Sequence, residues 1–503
     1  MGERSSVFRR GHNCWRVEPA DRLALFIDND ETFDALKPLL LAARRSIWIL
    51  AWVFDPLTRL DPDRVRKSRD PTHADRIGLI LRRQAALHPA LDVRILTWDM
   101  PFPIAAAQLF GPQRGAAFFA GSRVKYQLDS TLPASACHHQ KVVIIDGATA
   151  LLSGGDIGVD RWDTCEHLDN DPRRRLPTGR RYPARHEVAM LVDGRAAEAL
   201  GDMFSARWRN ATGESLSPPE RSGDAPWPPG LLPDLRRTEV AISRTEAAWK
   251  GRPEVTESLL LHLSSIRAAK RLIYLENQYL TSPIIVEALA ERLIEPDGPE
   301  VVTIGPARSP SYFDQITMDS ARTSAINRLR SVDVHKRFSA FSAHTPRGGP
   351  IIVHSKVAIM DDWMLRVGSA NLNNRSIGLD TECDLAFEGR DAQERQVITA
   401  FLARLIGHFL ARSSIDVMEA IQREGGLAAA INALDVRGGA PRRLQPVPLR
   451  HLTGVQQFIA DWNLGDAISP DDAWRPWGRR ERLKRDLVRL TEPPPEPPVH
   501  LLP

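Results

Sequence analysis

His354-Ser-Lys-Val-Ala-Ile-Met-Asp361, running on through Gly368-Ser-Ala-Asn371, is the stretch on which the fold turns. A near copy stands upstream as His139-Gln-Lys-Val-Val-Ile-Ile-Asp146, followed by Ser153-Gly-Gly-Asp156. The offsets coincide. Lys141 and Lys356 follow their histidines by two residues, Asp146 and Asp361 by seven, and Asp156 and Asn371 by seventeen. One His-x-Lys with a later acid is an ordinary strand end. Two copies agreeing at three offsets point to an internal duplication.

Each copy has an apolar run between its lysine and its acid, Val142 to Ile145 and Val357 to Met360. Short apolar runs of this kind are strands buried on both faces. Residues two apart on a strand share a face, so each histidine and its lysine project together from the leading end. Asp146-Gly147 and Asp361-Asp362 read as turns, with return strands over 148–152 and 364–367.

The flanks repeat as well. Strands are expected at Ser46 to Trp52 and Leu272 to Tyr279, at 91–98 and 300–304, and at His186 to Val192 and Thr381 to Phe387. Helices over 196–208 and 392–411 close the halves. This β-α-β rhythm predicts an α/β protein of two pseudo-symmetric α-β-α sandwich halves, with the site at their interface. The expected boundaries are a lead-in at 1–20, a first half at 21–212, a Pro/Gly-rich linker at 213–236, a second half at 237–412 and a tail at 413–503. A polar Arg- and Pro-rich insertion is expected at 163–186, and the tail is expected to end in a Pro-rich segment.

Composition narrows the partners. The 503 residues carry 67 Lys and Arg against 63 acids, a net charge of +4. That balance argues against a nucleic-acid coat, and nucleic acid is not an expected partner. The four cysteines form no metal-ligand spacing, so neither a metal nor a cofactor is expected. A reducing compartment is the default. There is no secretory h-region and no apolar run of bilayer length, so membrane contact is expected to be peripheral. The expected location is cytoplasmic or peripheral to a membrane, with secretion without a leader as a further route. Both motifs lie in one chain, which predicts an active monomer.

The residue types suit phosphoryl chemistry. A histidine oriented by a carboxylate serves as a nucleophile or general acid/base. A lysine on the same face offers a fixed charge to phosphate oxygens. Glu187 and Glu382 occupy matching strands of the two halves and are expected to orient the histidines, Glu382 supporting His354 within the second half. Asp146 and Asp361 enter the catalytic set by their place in the repeat, although anchoring the turn is their favoured role. Two imidazoles and two ammoniums around one phosphoryl group allow one histidine to attack phosphorus while the other protonates the leaving oxygen. The intermediate is then a phosphohistidine, and no divalent metal is needed.

With duplicated H-x-K-x4-D motifs, the chain resembles the phospholipase D superfamily. His138-His-Gln-Lys141, Gly154-Gly-Asp156 and Arg161-Trp-Asp163 resemble the first half of eukaryotic-type cores. Tyr274-Leu-Glu-Asn-Gln-Tyr279, Val353-His-Ser-Lys356, Gly368 to Ser376 and Asp380-Thr-Glu382 resemble the second. The resemblance implies His139 as nucleophile and His354 as acid and then base, with the reverse assignment also open. It implies phosphate binding by Lys141, Lys356 and Asn371, with Ser369 a weaker candidate. In the first half Gly154 replaces Ser369 and Asp156 replaces Asn371. Asp156 is therefore expected to turn away from phosphate, or to bind a headgroup or a lysine. Trp162 and Trp363 read as structural. The implied activity is hydrolysis of glycerophospholipids to phosphatidic acid and free headgroup, with transfer to a primary alcohol as a companion reaction. The alternatives are a cardiolipin synthase-like phosphatidyltransferase, whose usual N-terminal spans are not seen here, and a metal-independent nuclease, disfavoured by the modest charge.

Overall fold

The computed structural model describes residues 5–62, 75–217, 225–436 and 439–474. The first half contributes strands β1 (Arg16–Ile27), β2 (Ser46–Ala51), β3 (Asp92–Trp98), β4 (Lys125–Asp129), β5 (Val142–Ile145), β6 (Thr149–Ser153), β7 (Arg185–His186) and β8 (Val188–Asp193). The second contributes β9 (Leu235–Glu246), β10 (Val255–Thr256), β11 (Leu272–Glu276), β12 (Glu300–Pro306), β13 (Phe338–Ala343), β14 (Ile352–Val353), β15 (Val357–Met360), β16 (Met364–Gly368), β17 (Glu382–Glu388) and β18 (Leu444–Pro446).

From its outer edge inward, the first half runs β4-β3-β2-β5-β6-β8-β1, and the second runs β13-β12-β11-β15-β16-β17-β9. The orders match strand for strand. Antiparallel pairing of β1 with β9, from Arg16 opposite Ile242 to Leu23 opposite Leu235, fuses the halves into one sheet. The motif strands are buried on both faces, as their apolar runs require. Along β5, Val142 and Ile144 enter one core while Val143 and Ile145 enter the other. The first core is shared by both halves and lies under the helices Arg195–Thr212 and Ala392–Leu410. Opposite it, each half has its own core. Asp28–Ala42 and Ile77–Leu87 cover one, and Glu257–Ala268 and Pro283–Ile294 the other. The expected α-β-α sandwich halves are present, as one continuous layer rather than two separate sheets.

Three boundaries differ from expectation. β1 starts at Arg16, inside the expected lead-in, and β9 starts at Leu235, inside the expected linker. Their charged residues interrupt the apolar alternation that marks the other strands. The described part of the tail, up to residue 474, packs on the second half. β18 extends the sheet beside β13, and Asp466 reaches the second motif's loop. The 163–186 insertion is exposed along much of its length, but Asp163, His167, Asp171 and Arg174 are buried within it. The basic run 479–485 and the Pro-rich end lie outside the described residues.

Candidate active site

β5 runs antiparallel to β2, so the end carrying His139 and Lys141 meets the end of β2 that leads into Trp52. In the second half β15 runs antiparallel to β11, bringing His354 and Lys356 beside Asn277. Two short cross-links then tie the motifs together. The His139 amide donates to the Thr381 carbonyl at 3.0 Å, and the His354 amide donates to the His186 carbonyl at 2.9 Å. The residue after each of those carbonyls is a glutamate. Glu382 oxygens lie 2.9 and 3.0 Å from His139 Nδ1, and Glu187 Oε2 lies 3.0 Å from His354 Nδ1.

The orienting pairs are therefore crossed. Glu382 serves His139 of the opposite half rather than His354, which corrects the expectation drawn from the repeat. The physical reason is the inter-half pairing. A histidine whose backbone bonds to the residue before a glutamate in the other half has that glutamate beside its ring. Each half is thus incomplete without the other.

The lysines hold parallel positions. Lys141 Nζ donates to the His139 carbonyl at 2.8 Å, and Lys356 Nζ donates to that of His354 at 2.5 Å. Lys141 also lies 3.5 Å from Asp156 Oδ2. The other Asp156 oxygen accepts the Trp52 and Val53 amides at 2.9 and 3.1 Å. Asp156 thus turns to a lysine, one of the outcomes expected for it, and is not free for a headgroup. Burial brings Lys356 down to about 7, against the raising influence of Glu187. Burial, reinforced by the lysines, holds both His139 and His354 well below the usual imidazole range. Burial also pushes Glu382 well above the usual carboxylate range, against Lys141. The proton between His139 and Glu382 therefore belongs to the pair. A carboxylate on Nδ1 fixes the tautomer that leaves Nε2 as the basic atom.

Other candidates have different work. Ser369 Oγ is buried and donates to Glu382 Oε2 at 2.5 Å. It steadies the carboxylate behind His139, which corrects its place among the substrate contacts. Asp146 accepts the amides of Arg44, Arg45 and Ser46, and Asp361 those of Lys270, Arg271 and Leu272. Both adopt positive φ, 54° and 52°, at the strand end away from the histidines. They anchor turns, as favoured, and their membership of the catalytic set falls away. A Cβ on Gly154 would sit 3.2 Å from the His354 carbonyl and 3.3 Å from Lys356 Cδ, so its bareness lets the halves approach. Asn371 is buried, and its Oδ1 has no hydrogen-bond partner among the described residues. Trp162 and Trp363 are buried and structural.

Sequence reasoning missed several supports. Trp52 packs edge-on to His139 with centroids 6.4 Å apart. Arg185 lies 3.6 Å from Glu187. Asp466 accepts the Asn374 and Arg375 amides and the Thr281 hydroxyl, fixing the loop after Asn371. Arg185 is adjacent to the His186-Glu187 pair and was open to detection. Asp466 carries no local signal.

Residues 263–404 match a family model described as cardiolipin synthase, PLD-like domain. The chain is 24% identical to phospholipase D A of Dictyostelium discoideum over 445 residues, covering 73% of this chain and 33% of that protein. It is 23% identical to cardiolipin synthase A of Pseudomonas entomophila (strain L48) over 376 residues, covering 73% and 64%. The chain thus spans less than two thirds of the length of these curated relatives. Among solved structures it is similar to phosphatidylserine synthase of Haemophilus influenzae Rd KW20, with a TM-score of 0.51, 14% identity, and 94% and 97% of the two chains covered. That likeness concerns the fold.

Proposed function

Because the chain belongs to the phospholipase D superfamily, we propose that it cleaves or exchanges phosphodiester headgroups of glycerophospholipids at the composite site. The observation that carries this reading is the crossed pair of histidine–carboxylate contacts flanked by two lysines. In this mechanism His139 Nε2 attacks phosphorus while Glu382 steadies Nδ1. The bond from phosphorus to the headgroup oxygen breaks, and His354 supplies that oxygen with a proton. The anionic diester raises the proton affinity of His354 as it enters, so the acid is formed with the complex. Lys141, Lys356 and Asn371 take the phosphoryl oxygens. His354, now neutral, removes a proton from water or an alcohol, which displaces His139 and releases phosphatidic acid or a new phosphatidyl ester.

The acceptor distinguishes hydrolysis from transfer. Hydrolysis is the leading reading, and the cardiolipin synthase relatives favour transfer as the second. Two exposed apolar segments follow equivalent strands β3 and β12. Phe102 and Phe110 stand on one, and Tyr312 and Phe313 on the other. They lie beyond strand ends on the same edge as the motifs and suit peripheral contact with lipid. Among the described residues, no helix is long and apolar enough to cross a membrane.

The test is turnover of phosphatidylcholine and phosphatidylethanolamine vesicles with EDTA present, with and without ethanol, alongside plasmid DNA. Phosphatidic acid without ethanol and phosphatidylethanol with it, both lost in His139→Ala, are expected. Nicked DNA with no lipid turnover would overturn the reading.

A further inference from the structure

Behind the Glu187 side of the site lies a buried cluster that phosphoryl transfer does not use. Asp28, His167, His186 and His408 converge from four segments, with candidate ligand atoms all within 4.8 Å of one another. Three atoms form a triangle. His408 Nε2 lies 2.8 Å from Asp28 Oδ2, His167 Nε2 lies 2.9 Å from His408 Nε2, and His167 Nε2 lies 3.5 Å from Asp28 Oδ2. We propose that Asp28 Oδ2, His167 Nε2 and His408 Nε2 bind a divalent transition metal of the zinc class, as a structural ion.

The dimensions fit. Zinc bonds to nitrogen and carboxylate oxygen of about 2.0–2.1 Å in a tetrahedron put ligand atoms about 3.3 Å apart. The observed edges bracket that value, so coordination needs shifts of only a few tenths of an ångström. Two imidazoles and a carboxylate are a donor set that suits zinc over magnesium or calcium.

Two of the three groups are held as metal ligands are. His167 Nδ1 lies 2.9 Å from Asp163 Oδ2, the carboxylate backing that fixes a ligand histidine's tautomer and aims Nε2 at the metal. Asp163 itself is held by Arg174 Nη1 and the Arg185 amide. The other oxygen of Asp28 takes His186 Nδ1 at 2.9 Å, leaving Oδ2 for the triangle. His186 is held from its far side by Glu276 at 2.9 Å, so it orients Asp28 and is not counted as a ligand. Hydrogen bonds alone serve the triangle poorly. With both imidazoles neutral and the His167 proton on Nδ1 towards Asp163, a single hydrogen on His408 Nε2 serves both Asp28 and His167. A cation engages all three lone pairs at once. Asp28 is also a buried non-glycine residue at φ 67°, a conformation kept only where its surroundings demand it.

The ion's role follows from the neighbours. The Asp28 amide donates to the Glu187 carbonyl at 2.8 Å, and Asp28 Oδ1 accepts the Glu187 amide at 3.2 Å. The cluster therefore clamps the segment carrying the glutamate that orients His354. It also pins the helix Ala392–Leu410 of the second half to the first through His408. The proposal does not depend on the reaction assigned to the histidine–lysine site.

The test is metal content and metal-linked stability of the full chain. Protein purified without chelator is analysed for zinc, then stripped with dipicolinate and titrated with Co²⁺ under visible spectroscopy, and with Zn²⁺ under thermal denaturation. Stoichiometric zinc is expected in the wild type and in Cys165→Ser, which removes the exposed thiol nearby in sequence. His167→Gln and His408→Gln should lose it. Stripping should lower Tm by several degrees and zinc should restore it, as expected for a ligand bound only by the folded state. A folded, stripped wild type that shows no Co²⁺ bands and no Tm change with zinc would overturn the proposal, however the variants behave. So would zinc retained equally in both histidine variants.

Discussion

Crossed orientation makes a prediction that uncrossed halves do not. Replacing Glu382 with Gln should disable His139 and leave His354 supported, although Glu382 belongs to the His354 half. Both Glu382 oxygens lie within 3.0 Å of His139 Nδ1, and one also takes the Ser369 hydroxyl. The amide keeps one acceptor, loses the charge that stabilises a histidine becoming cationic on attack, and places an NH2 against either Nδ1–H or Ser369. A hydrogen bond to a charged group contributes about 1.5–3 kcal/mol. At about 1.4 kcal/mol per tenfold, that is roughly 10- to 150-fold in the rate of phosphoenzyme formation. Glu187→Gln should spare attack more than protonation of the leaving group and should respond to leaving-group pKa. The assay is pre-steady-state cleavage of a good and a poor leaving-group ester, with nitrogen NMR of the His139 ring in each variant. A His139 tautomer disturbed by Glu187→Gln and untouched by Glu382→Gln would refute the crossed pairing.

Other expectations follow from the same contacts. Asp146→Ala and Asp361→Ala each orphan three backbone amides and should lower stability by about 1–3 kcal/mol per site in chemical denaturation, with kcat of the folded fraction little changed. Ser369→Ala should slow turnover by impairing Glu382 while leaving KM for lipid nearly constant. For Lys356, burial lowers the folded-state value from 10.5 to about 7. The unfolded chain then holds the extra proton between those pH values, so this group's contribution to stability rises with pH from about 7 to 10.5. Lys356→Met should accordingly raise Tm more at pH 6.5 than at pH 10, and phosphate binding near pH 8 should take up a proton, read by calorimetry in buffers of different ionisation enthalpy. Ser substitutions at Phe102, Phe110, Tyr312 and Phe313 should depress turnover of vesicles and spare a short-chain, monomeric ester.

Much of the sheet was legible because its inner strands are unbroken apolar runs. Val142–Ile145 and Val357–Met360 sit where their patterns place them. The fusing strands were not legible. Arg16–Ile27 and Leu235–Glu246 mix Arg and Glu into their alternation, and they are strands through long-range pairing with each other and with β8 and β17. The four His and Lys positions were visible from the repeat, as were both glutamates, but not which glutamate meets which histidine. That depends on backbone pairing between residues more than 160 apart, such as the His354 amide with the His186 carbonyl. Ser369 looked like a phosphate contact because its neighbour Asn371 does, yet two residues along a loop separate the crevice from the carboxylate behind it. The Asp28–His167–His186–His408 cluster draws on four segments with no ligand spacing in sequence, so only folding assembles it.

If one composite site works through a covalent His139 intermediate, that intermediate can be trapped. His354→Ala is mixed with a phosphatidyl ester bearing a leaving group that needs no proton, quenched, and digested for peptide mapping. Acid-labile phosphatidyl label is expected on the peptide containing His139, and none in His139→Ala. Label on the His354 peptide of His139→Ala, no label in His354→Ala, or turnover that persists in His139→Ala would contradict a covalent role for His139.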